Sequence, residues 1–168
     1  DQKLSLSNMS FRYPETKRDV LSNINIEIKP GEKHALIGSS GSGKTTLLNQ
    51  LIKQSDAGIM PQHLDFYNAT VKENLTMFNH FKADENKLKE LLEKFELDHF
   101  KPDDYITSAE YLSLGEKKRM HLIRMHIEGK DAWIMDEPTA SLNTRLRDKI
   151  WKEIFQKDTV LTATHDLS

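Results

Sequence analysis

One stretch decides the fold class of this chain: Gly38-Ser39-Ser40-Gly41-Ser42-Gly43-Lys44-Thr45. It follows a short apolar run, His34-Ala35-Leu36-Ile37, which predicts a buried strand, and it precedes apolar residues between Leu47 and Ile52 that predict a helix face. Its glycines allow a tight turn that brings backbone N–H groups close to an anion. Lys44 can then reach the β- and γ-phosphates of a nucleotide, and the Thr45 hydroxyl suits a Mg²⁺ ion. A Gly/Ser-rich linker is the alternative, but the co-occurrence of strand, motif and helix favours a phosphate-binding loop.

A second block carries two adjacent carboxylates. The run Ala132-Trp133-Ile134-Met135 is apolar and short enough for a central parallel strand, which would deliver Asp136 to its C-terminal end. Ligands in open α/β sheets gather at that edge. There Asp136 would hold the water shell of a Mg²⁺ ion, and Glu137 would orient or polarise the attacking water. An acidic turn that opens a helix is the alternative, and the strand and the upstream loop favour the catalytic interpretation.

A third block, Leu112-Ser113-Leu114-Gly115-Glu116, is called here the signature segment. Ser113 and Glu116 form the Ser-x-x-Glu pattern of a capping box, which predicts a helix from about Leu114 to about Glu128 with Gly129 as its stop. The free N–H groups and positive dipole end of such a helix suit a phosphate. A capped surface helix with a solvated basic face is the alternative.

These blocks and two others resemble, in their order, the ATP-binding domain of ABC transporters. The five blocks are Gly38–Thr45, Met60-Pro61-Gln62, Leu112–Glu116, Trp133–Pro138 and Thr164-His165-Asp166. In that family the signature segment grips ATP bound to a second subunit, so the resemblance implies half of an ATP-driven clamp. The family usually has Gly where Leu114 stands and Gln where Glu116 stands. Ser113 and Gly115, expected nearest the phosphate, are retained.

The resemblance also assigns roles to residues that are weak signals alone. Gln62 and His165 each follow a strand-like run; Gln62 would sense Mg²⁺ and the attacking water and link them to a membrane partner, and His165 would contact the γ-phosphate. Tyr13 matches the aromatic residue that stacks on adenine; an aromatic on an amphipathic edge strand is the alternative. The implied site residues are Glu137, His165 and Gln62 for catalysis, Thr45, Gln62 and Asp136 for Mg²⁺, and Tyr13, Gly38, Ser39, Ser40, Gly41, Ser42, Gly43, Lys44, Thr45, Thr46, Ser113 and Gly115 for ATP.

Composition agrees with one soluble domain. The 168 residues are 37% hydrophobic, which suffices for one core, and no apolar run is long enough to span a bilayer. The absence of cysteine excludes a disulfide scaffold, and a net charge of −2 gives no overall pull toward nucleic acid. The chain begins at Asp1 rather than Met and stops three residues after His165, so we expect a piece of a longer protein.

The predicted fold class is an α/β P-loop NTPase with a mostly parallel sheet core. We expect one domain over residues 1–168, with a reduced pair of N-terminal antiparallel strands and a helical subdomain inserted at about 71–128. Lys44 and Gln62 are only 18 positions apart. Related domains usually place additional strands there, so most of one antiparallel subdomain is expected to be missing.

The stretch Thr70-Val71-Lys72-Glu73-Asn74-Leu75 resembles one common in ABC exporters, although a helix start with no subtype meaning is the alternative. The resemblance implies an ATPase at the cytoplasmic face of a cell membrane, peripheral or as the cytoplasmic domain of a membrane protein. Its expected partners are a second ATP-binding domain, in a homodimer or homologous heterodimer, and a transmembrane domain that could lie on the same chain.

Three other classes of ABC protein are alternatives. A DNA-repair ATPase would need a long heptad insert, and the stretch from Thr46 to Tyr111 has no sustained heptads. A soluble ABC protein that acts on ribosomes would normally carry two such domains on one chain. A regulatory domain that binds ATP without hydrolysing it is disfavoured by Glu137 and His165.

Overall fold

The computed structural model describes residues 4–11, 21–28, 30–37, 44–107 and 111–164. Within these ranges, residues 4–11, 21–28, 36–37 and 44–47 are described by their backbone alone. The chain divides into two compact units. The α/β unit comprises Asp1–Ile59, Lys130–Pro138 and Lys152–Ser168, and the helical unit comprises Met60–Gly129 and Thr139–Trp151.

Strands and helices alternate through most of the described chain. The strands are β1 Leu4–Phe11, β2 Leu21–Ile28, β3 Lys33–Ile37, β4 Gly58–Met60, β5 Ala69–Thr70, β6 Tyr105–Ile106, β7 Ala132–Asp136 and β8 Thr159–Thr164. The helices are α1 Lys44–Lys53, α2 Val71–Thr76, α3 Glu85–Lys94, α4 Leu114–Glu128 and α5 Thr144–Ile154. The helices α2, α3 and α4 lie in the stretch expected to form a helical subdomain; the division into domains stays a prediction.

A four-stranded sheet with the order β3-β8-β7-β4 forms the centre of the fold. The pairs β3–β8 and β7–β8 are parallel. Every residue of β7 and β8 is buried, as expected for central parallel strands whose two faces are both covered. The predicted fold class is confirmed: the chain is α/β with a parallel sheet core, and β1 and β2 form the predicted antiparallel pair.

One prediction about β3 is wrong. The strand forms where the sequence predicts it, but His34 and Ala35 are exposed rather than buried. The reason is position, because β3 is the last strand of the four-stranded sheet as far as the structure describes it. An edge strand has a neighbour on one side only, and an apolar run does not by itself distinguish an edge strand from a central one.

The core of the α/β unit lies between α1 and the central strands. The apolar face predicted for α1 is confirmed, because Leu48 and Leu51 are both buried there. They pack against alternate residues of β7 and β8, whose side chains point to the same face of the sheet. The buried cluster consists of Leu48, Leu51, Ala132, Ile134, Leu161 and Ala163.

The helical unit has its own core and its own caps. The spacing of Leu88, Leu91, Leu92 and Phe95 gives α3 an apolar stripe, and all four side chains are buried. Asp84 caps this helix, since its carboxylate accepts the N–H of Lys87 at 2.8 Å. None of the helices that the structure describes has the length and apolar character needed to traverse a bilayer.

Candidate functional site

Three parallel strands end at one edge of the sheet. In the pairing register Ile37 of β3 lies beside Thr164 of β8, and Asp136 of β7 lies beside Ala163. The C-terminal ends of these strands therefore coincide, which is where ligands bind in open α/β sheets. Strand β3 is the strand predicted before the phosphate loop, and β8 is the one predicted before His165. The two strands are neighbours, and both end at this edge.

The structure describes some of the predicted site residues near that edge and not others. Lys44, Thr45 and Thr46 form the first turn of α1. The remaining phosphate-loop residues, Gly38, Ser39, Ser40, Gly41, Ser42 and Gly43, lie outside the described residues, as do Tyr13 and His165. The roles of all these residues stay predictions.

Asp136 and Glu137 stand at the end of β7 in different environments. Asp136 is buried, with 7% of its surface exposed, and Glu137 is half-buried. The N–H of Glu137 donates to the carbonyl oxygen of Ala163 at 2.8 Å, so the strand pairing continues one residue beyond β7. Glu137 has a φ of 50°, in the left-handed region that non-glycine residues rarely occupy. Such strained residues cluster at active sites, where the surrounding structure holds them in place.

The donors at this edge fit a Mg²⁺ ion that arrives with a nucleotide. Mg²⁺ prefers oxygen ligands and is usually held by one or two carboxylates together with substrate phosphates. Asp136 supplies one such carboxylate at the strand end. Within the described parts of the chain, no group of three or more His, Asp or Glu side chains forms a protein-only metal site.

The signature segment opens α4 through the predicted capping box. The Ser113 Oγ accepts the N–H of Glu116 at 3.1 Å, and a carboxylate oxygen of Glu116 accepts the N–H of Ser113 at 2.9 Å. The helix runs from Leu114 to Glu128 and ends at Gly129, as predicted. The first four N–H groups at this end, from Ser113 to Glu116, have no acceptor within the helix. The capping box provides acceptors for those of Ser113 and Glu116. The other two belong to Leu114 and Gly115, beside the exposed side chain of Ser113.

The basic residues of α4 are not a solvated face, so that alternative is wrong. Lys118, Arg119 and Arg124 are all buried. Arg119 donates from Nε to the carbonyl oxygen of Gly115 at 3.2 Å, and from Nη1 to the carbonyl oxygens of Phe95 and Glu96 at 3.0 and 2.9 Å. Burial lowers the pKa of Arg119, which nevertheless stays a cation at neutral pH. Its guanidinium fixes the first turn of α4 to the end of α3.

Gly115 has a packing role that the motif alone does not reveal. It is buried, and a Cβ atom placed on it would come within 2.8 Å of the Leu142 Cδ2 atom. Leu142 belongs to the turn before α5, where its N–H donates to the carbonyl oxygen of Thr139. A glycine therefore leaves room for the end of the Leu142 side chain beside the signature segment.

A second anchor of this region is the carboxylate of Glu96, just after α3. It forms a bidentate salt bridge with Arg145, whose two Nη atoms lie 2.8 and 2.9 Å from the carboxylate oxygens. One of these oxygens also lies 3.1 Å from the Lys149 Nζ. The hydrogen bonds from Arg145 and Lys149 lower the pKa of Glu96 to about 2. The pairs of Glu96 with α5 and the contacts of Arg119 with Phe95 and Glu96 could not be predicted from sequence, because the partners are distant in the chain.

Gln62 and the signature residues belong to the helical unit. Gln62 is exposed and follows β4 by two positions, so the strand predicted before it is confirmed. The segment between Lys44 and Gln62 contains α1, a short connection and β4. The roles of Gln62, Ser113 and Gly115 stay predictions.

Comparison with known proteins gives a family and a fold. The ABC transporter family model matches residues 21–140, more than half of the chain. The chain is 28% identical to the glutathione/L-cysteine transport system ATP-binding/permease protein CydC of Escherichia coli, over 98% of this chain and 34% of that protein. It is 32% identical to the lipoprotein-releasing system ATP-binding protein LolD of Francisella tularensis, over 90% of this chain and 80% of that protein.

The solved structure of a bacterial Atm1-family ABC exporter with ATP bound has the same fold. The TM-score is 0.85 at 21% identity, and the superposition covers 99% of this chain and 35% of the exporter chain.

The aligned lengths show how much of each relative this chain covers. The chain spans about a third of the length of the CydC proteins that it matches. The matches to CydC and LolD extend over 196 and 193 positions, more than the 168 residues of this chain, so those relatives contain residues that it lacks. The shortening expected between Lys44 and Gln62 stays a prediction. The chain belongs to the ABC transporter family, within which it is an ATP-binding domain.

Proposed function

We propose that this chain is the ATP-hydrolysing domain of an ABC exporter and powers transport by ATP-driven dimerisation. The observation that carries the proposal is the end of β7, where a buried aspartate is followed at once by a strained, half-buried glutamate. This pair stands at the edge that β3 and β8 also reach. A nucleotide held by the loop after β3 would bring its phosphates to these carboxylates.

Each residue has a distinct task in the proposed reaction. Lys44 neutralises phosphate charge, and the Thr45 hydroxyl and Asp136 hold a Mg²⁺ ion. Such an ion, when bound, offsets the charge that develops on the phosphates. Glu137 orients the attacking water, and the hydrogen bond from its N–H to Ala163 fixes its backbone for this purpose. His165 and Gln62 are assigned to the γ-phosphate and to the attacking water.

The signature segment completes the site of a second copy or of a homologous partner. Its capping box leaves the N–H groups of Leu114 and Gly115 at the start of a 15-residue helix, next to the Ser113 hydroxyl. These donors and the helix dipole suit the γ-phosphate of ATP held by the partner. Arg119 and the close approach of Leu142 to Gly115 keep this end of the helix in one position.

Two exposed aromatic residues in the helical unit form the surface on which we propose that a membrane domain docks. Tyr67 and Phe78 are 39% and 52% exposed, and their rings contact edge to face at 5.6 Å. Phe78 lies in a turn with three consecutive positive φ angles, Met77 to Asn79. The buried Asn74 holds Tyr67 through both backbone groups, at 2.8 and 3.0 Å.

The identity of this docking partner is inferred from the relatives. The CydC proteins are named ATP-binding/permease proteins, and this chain matches only a third of each. A permease region is therefore the partner that we propose, on the same chain or on a separate one, at the cytoplasmic face of a membrane.

The experiment is the Glu137→Gln variant of the full-length protein. The change keeps the shape of the side chain but removes the charge that orients water, so ATP hydrolysis should fall by about 100-fold or more. ATP should still bind, and the variant should accumulate as an ATP-bound dimer. Glu90→Gln makes the same chemical change on the exposed face of α3 and should hydrolyse ATP as the parent does. Comparable turnover in Glu137→Gln and the parent would exclude the proposed role.

A further inference from the structure

His99 and Glu116 make a contact that the family motif does not include. The His99 Nε2 atom lies 3.0 Å from one carboxylate oxygen of Glu116, and the other oxygen accepts the N–H of Ser113 at 2.9 Å. His99 lies between α3 and β6, 17 positions before Glu116. Its side chain is 57% exposed, whereas that of Glu116 is 20% exposed. The imidazole therefore covers a carboxylate that is engaged at the start of α4.

The carboxylate matters because of its charge. Burial raises the pKa of Glu116, but hydrogen bonds from Ser113 and His99 outweigh this effect and hold the pKa below its usual range. Glu116 is thus an anion within the first turn of α4, next to the donors proposed to grip a phosphate. An anion there favours the helix itself but opposes the approach of a second anion. The family residue at this position, a glutamine, has the same shape and no charge.

Three other polar groups that the structure describes near this contact are engaged elsewhere. His99 and Glu116 line a cavity of about 520 Å³ together with Phe100, Asp104, Tyr105, Ile106 and Tyr111. A carboxylate oxygen of Asp104 accepts the N–H of Lys101 at 2.8 Å, and the Tyr105 hydroxyl donates to the carbonyl oxygen of Asn68 at 3.0 Å. On α4 itself, Arg119 is directed to three backbone carbonyls. Among these neighbours, an imidazole is the group whose charge changes between about pH 5 and pH 8.

We propose that His99 is a positioning residue of the signature segment, which offsets the charge of Glu116 and so lets α4 receive the phosphate of a partner's ATP. The inference rests on the proposed function, because it takes Ser113 and Gly115 to act on the partner's ATP. A neutral imidazole keeps the hydrogen bond but does not offset the charge. Closure on ATP is therefore stronger when His99 is protonated than when it is neutral.

The test compares four forms of the full-length protein: the parent, His99→Gln, Glu116→Gln and the double variant. Glutamine at position 99 keeps a donor but never carries a charge, and Glu116→Gln removes the anion. The measured quantity is the apparent KM for ATP in steady-state hydrolysis, from about pH 6 to about pH 8.5. Because ATP and other groups also titrate, each value is expressed relative to the double variant, which lacks both charges, at the same pH.

The relative KM of the parent should rise with pH on the order of three- to tenfold, the effect of one charge at a helix N-terminus. His99→Gln should show the high value at every pH. Glu116→Gln should never show a higher KM than the double variant, because without the anion an imidazolium can only attract the phosphate. A purely structural role for His99 predicts instead a pH-independent effect that persists in the Glu116→Gln background, and that result would overturn the inference.

Two controls separate this inference from the proposed function. His34 forms a comparable exposed contact with Glu32 on the edge strand, at 3.7 Å, and His34→Gln should leave the pH profile unchanged. Ser113→Arg should abolish hydrolysis if the signature segment acts on the partner's ATP. If Ser113→Arg stays active, the proposed function fails. If it is inactive while the parent and His99→Gln share one pH profile, only the role of His99 fails.

Discussion

The Nε atom of Arg119 donates a hydrogen bond to the carbonyl oxygen of Gly115, 3.2 Å away. The same guanidinium reaches the carbonyl oxygens of Phe95 and Glu96 through Nη1. One buried cation thus joins the first turn of α4 to the last turn of α3. The signature segment owes its fixed position to a residue outside the motif itself.

Replacing Arg119 with Met should destabilise the protein by about 2–3 kcal/mol, because three buried or partly buried carbonyl oxygens would lose a charged donor. Methionine retains most of the apolar stem, so the effect isolates the hydrogen bonds. The measurement is the free energy of unfolding in urea. Lys89→Met, on the exposed face of α3, should leave this free energy within about 0.5 kcal/mol of the parent. Equal midpoints for Arg119→Met and the parent would contradict the anchoring role.

Glu96 should make part of the stability depend on pH. Its pKa is lowered to about 2 in the folded chain from an ordinary value of 4.5, so its contribution is present above about pH 4.5 and disappears as the pH falls toward 2. Because Glu96, Arg145 and Lys149 are partly exposed, we expect a contribution of only about 1 kcal/mol at neutral pH.

The measurement is the difference in unfolding free energy between the parent and Glu96→Gln, in urea from about pH 7 to about pH 3. This difference should shrink steadily over the acidic part of that range. Glu90→Gln, which removes an exposed pair with Lys87 at 3.6 Å, serves as the control and should show a smaller difference throughout. A difference for Glu96→Gln that does not change with pH would show that its charge is not responsible.

Local patterns in the sequence predict the ends of α4 and the central strands, but they do not predict which basic residues of α4 are buried. The capping box of Ser113 and Glu116 and the stop at Gly129 are local patterns, and they predict both ends of α4 correctly. The runs that form β7 and β8 are equally local. Arg119 and Arg124 look like surface residues in the sequence, because a basic residue is usually solvated. Their burial depends on backbone carbonyls that distant segments supply.

The same limit applies to the site. The place of Asp136 at a strand end follows from an apolar run, and it is correct. The contact of His99 with Glu116 and the approach of Leu142 to Gly115 depend on how loops fold over α4. No spacing in the sequence encodes those contacts.

Lys44→Ala should weaken ATP binding itself, because a direct contact between a cation and phosphate disappears. The dissociation constant for MgATP should rise on the order of tenfold or more, as expected for the loss of a charge-assisted hydrogen bond. Nucleotide titration of the full-length protein gives this constant. Lys53→Ala is the matched control, since Lys53 is exposed in the last turn of the same helix. If Lys44→Ala binds MgATP as tightly as the parent does, the phosphate-loop assignment is wrong.

The last prediction concerns action in trans, and it uses two substitutions at Ser113. Ser113→Arg should leave ATP binding to the isolated monomer nearly intact but block closure, since a bulky cation fills the space that the γ-phosphate needs. This change also breaks the capping box, at a cost of about 1 kcal/mol. Ser113→Asp keeps a good helix cap but adds a negative charge, so it should also block closure, by repulsion of the phosphate. Asn86→Arg adds the same cation to the exposed first turn of α3 and should have no effect.

Mixing then distinguishes action in trans from action within one chain. Ser113→Arg and Lys44→Ala proteins should each lack turnover alone, yet their mixture should recover part of it. A mixed dimer keeps one site that combines an intact phosphate loop from one chain with an intact signature segment from the other. The measurement is ATP hydrolysis across mixing ratios, and the recovered rate should be greatest near equal amounts. Full activity of Ser113→Arg as a dilute monomer would refute action in trans, and the signature segment would then be an ordinary helix start.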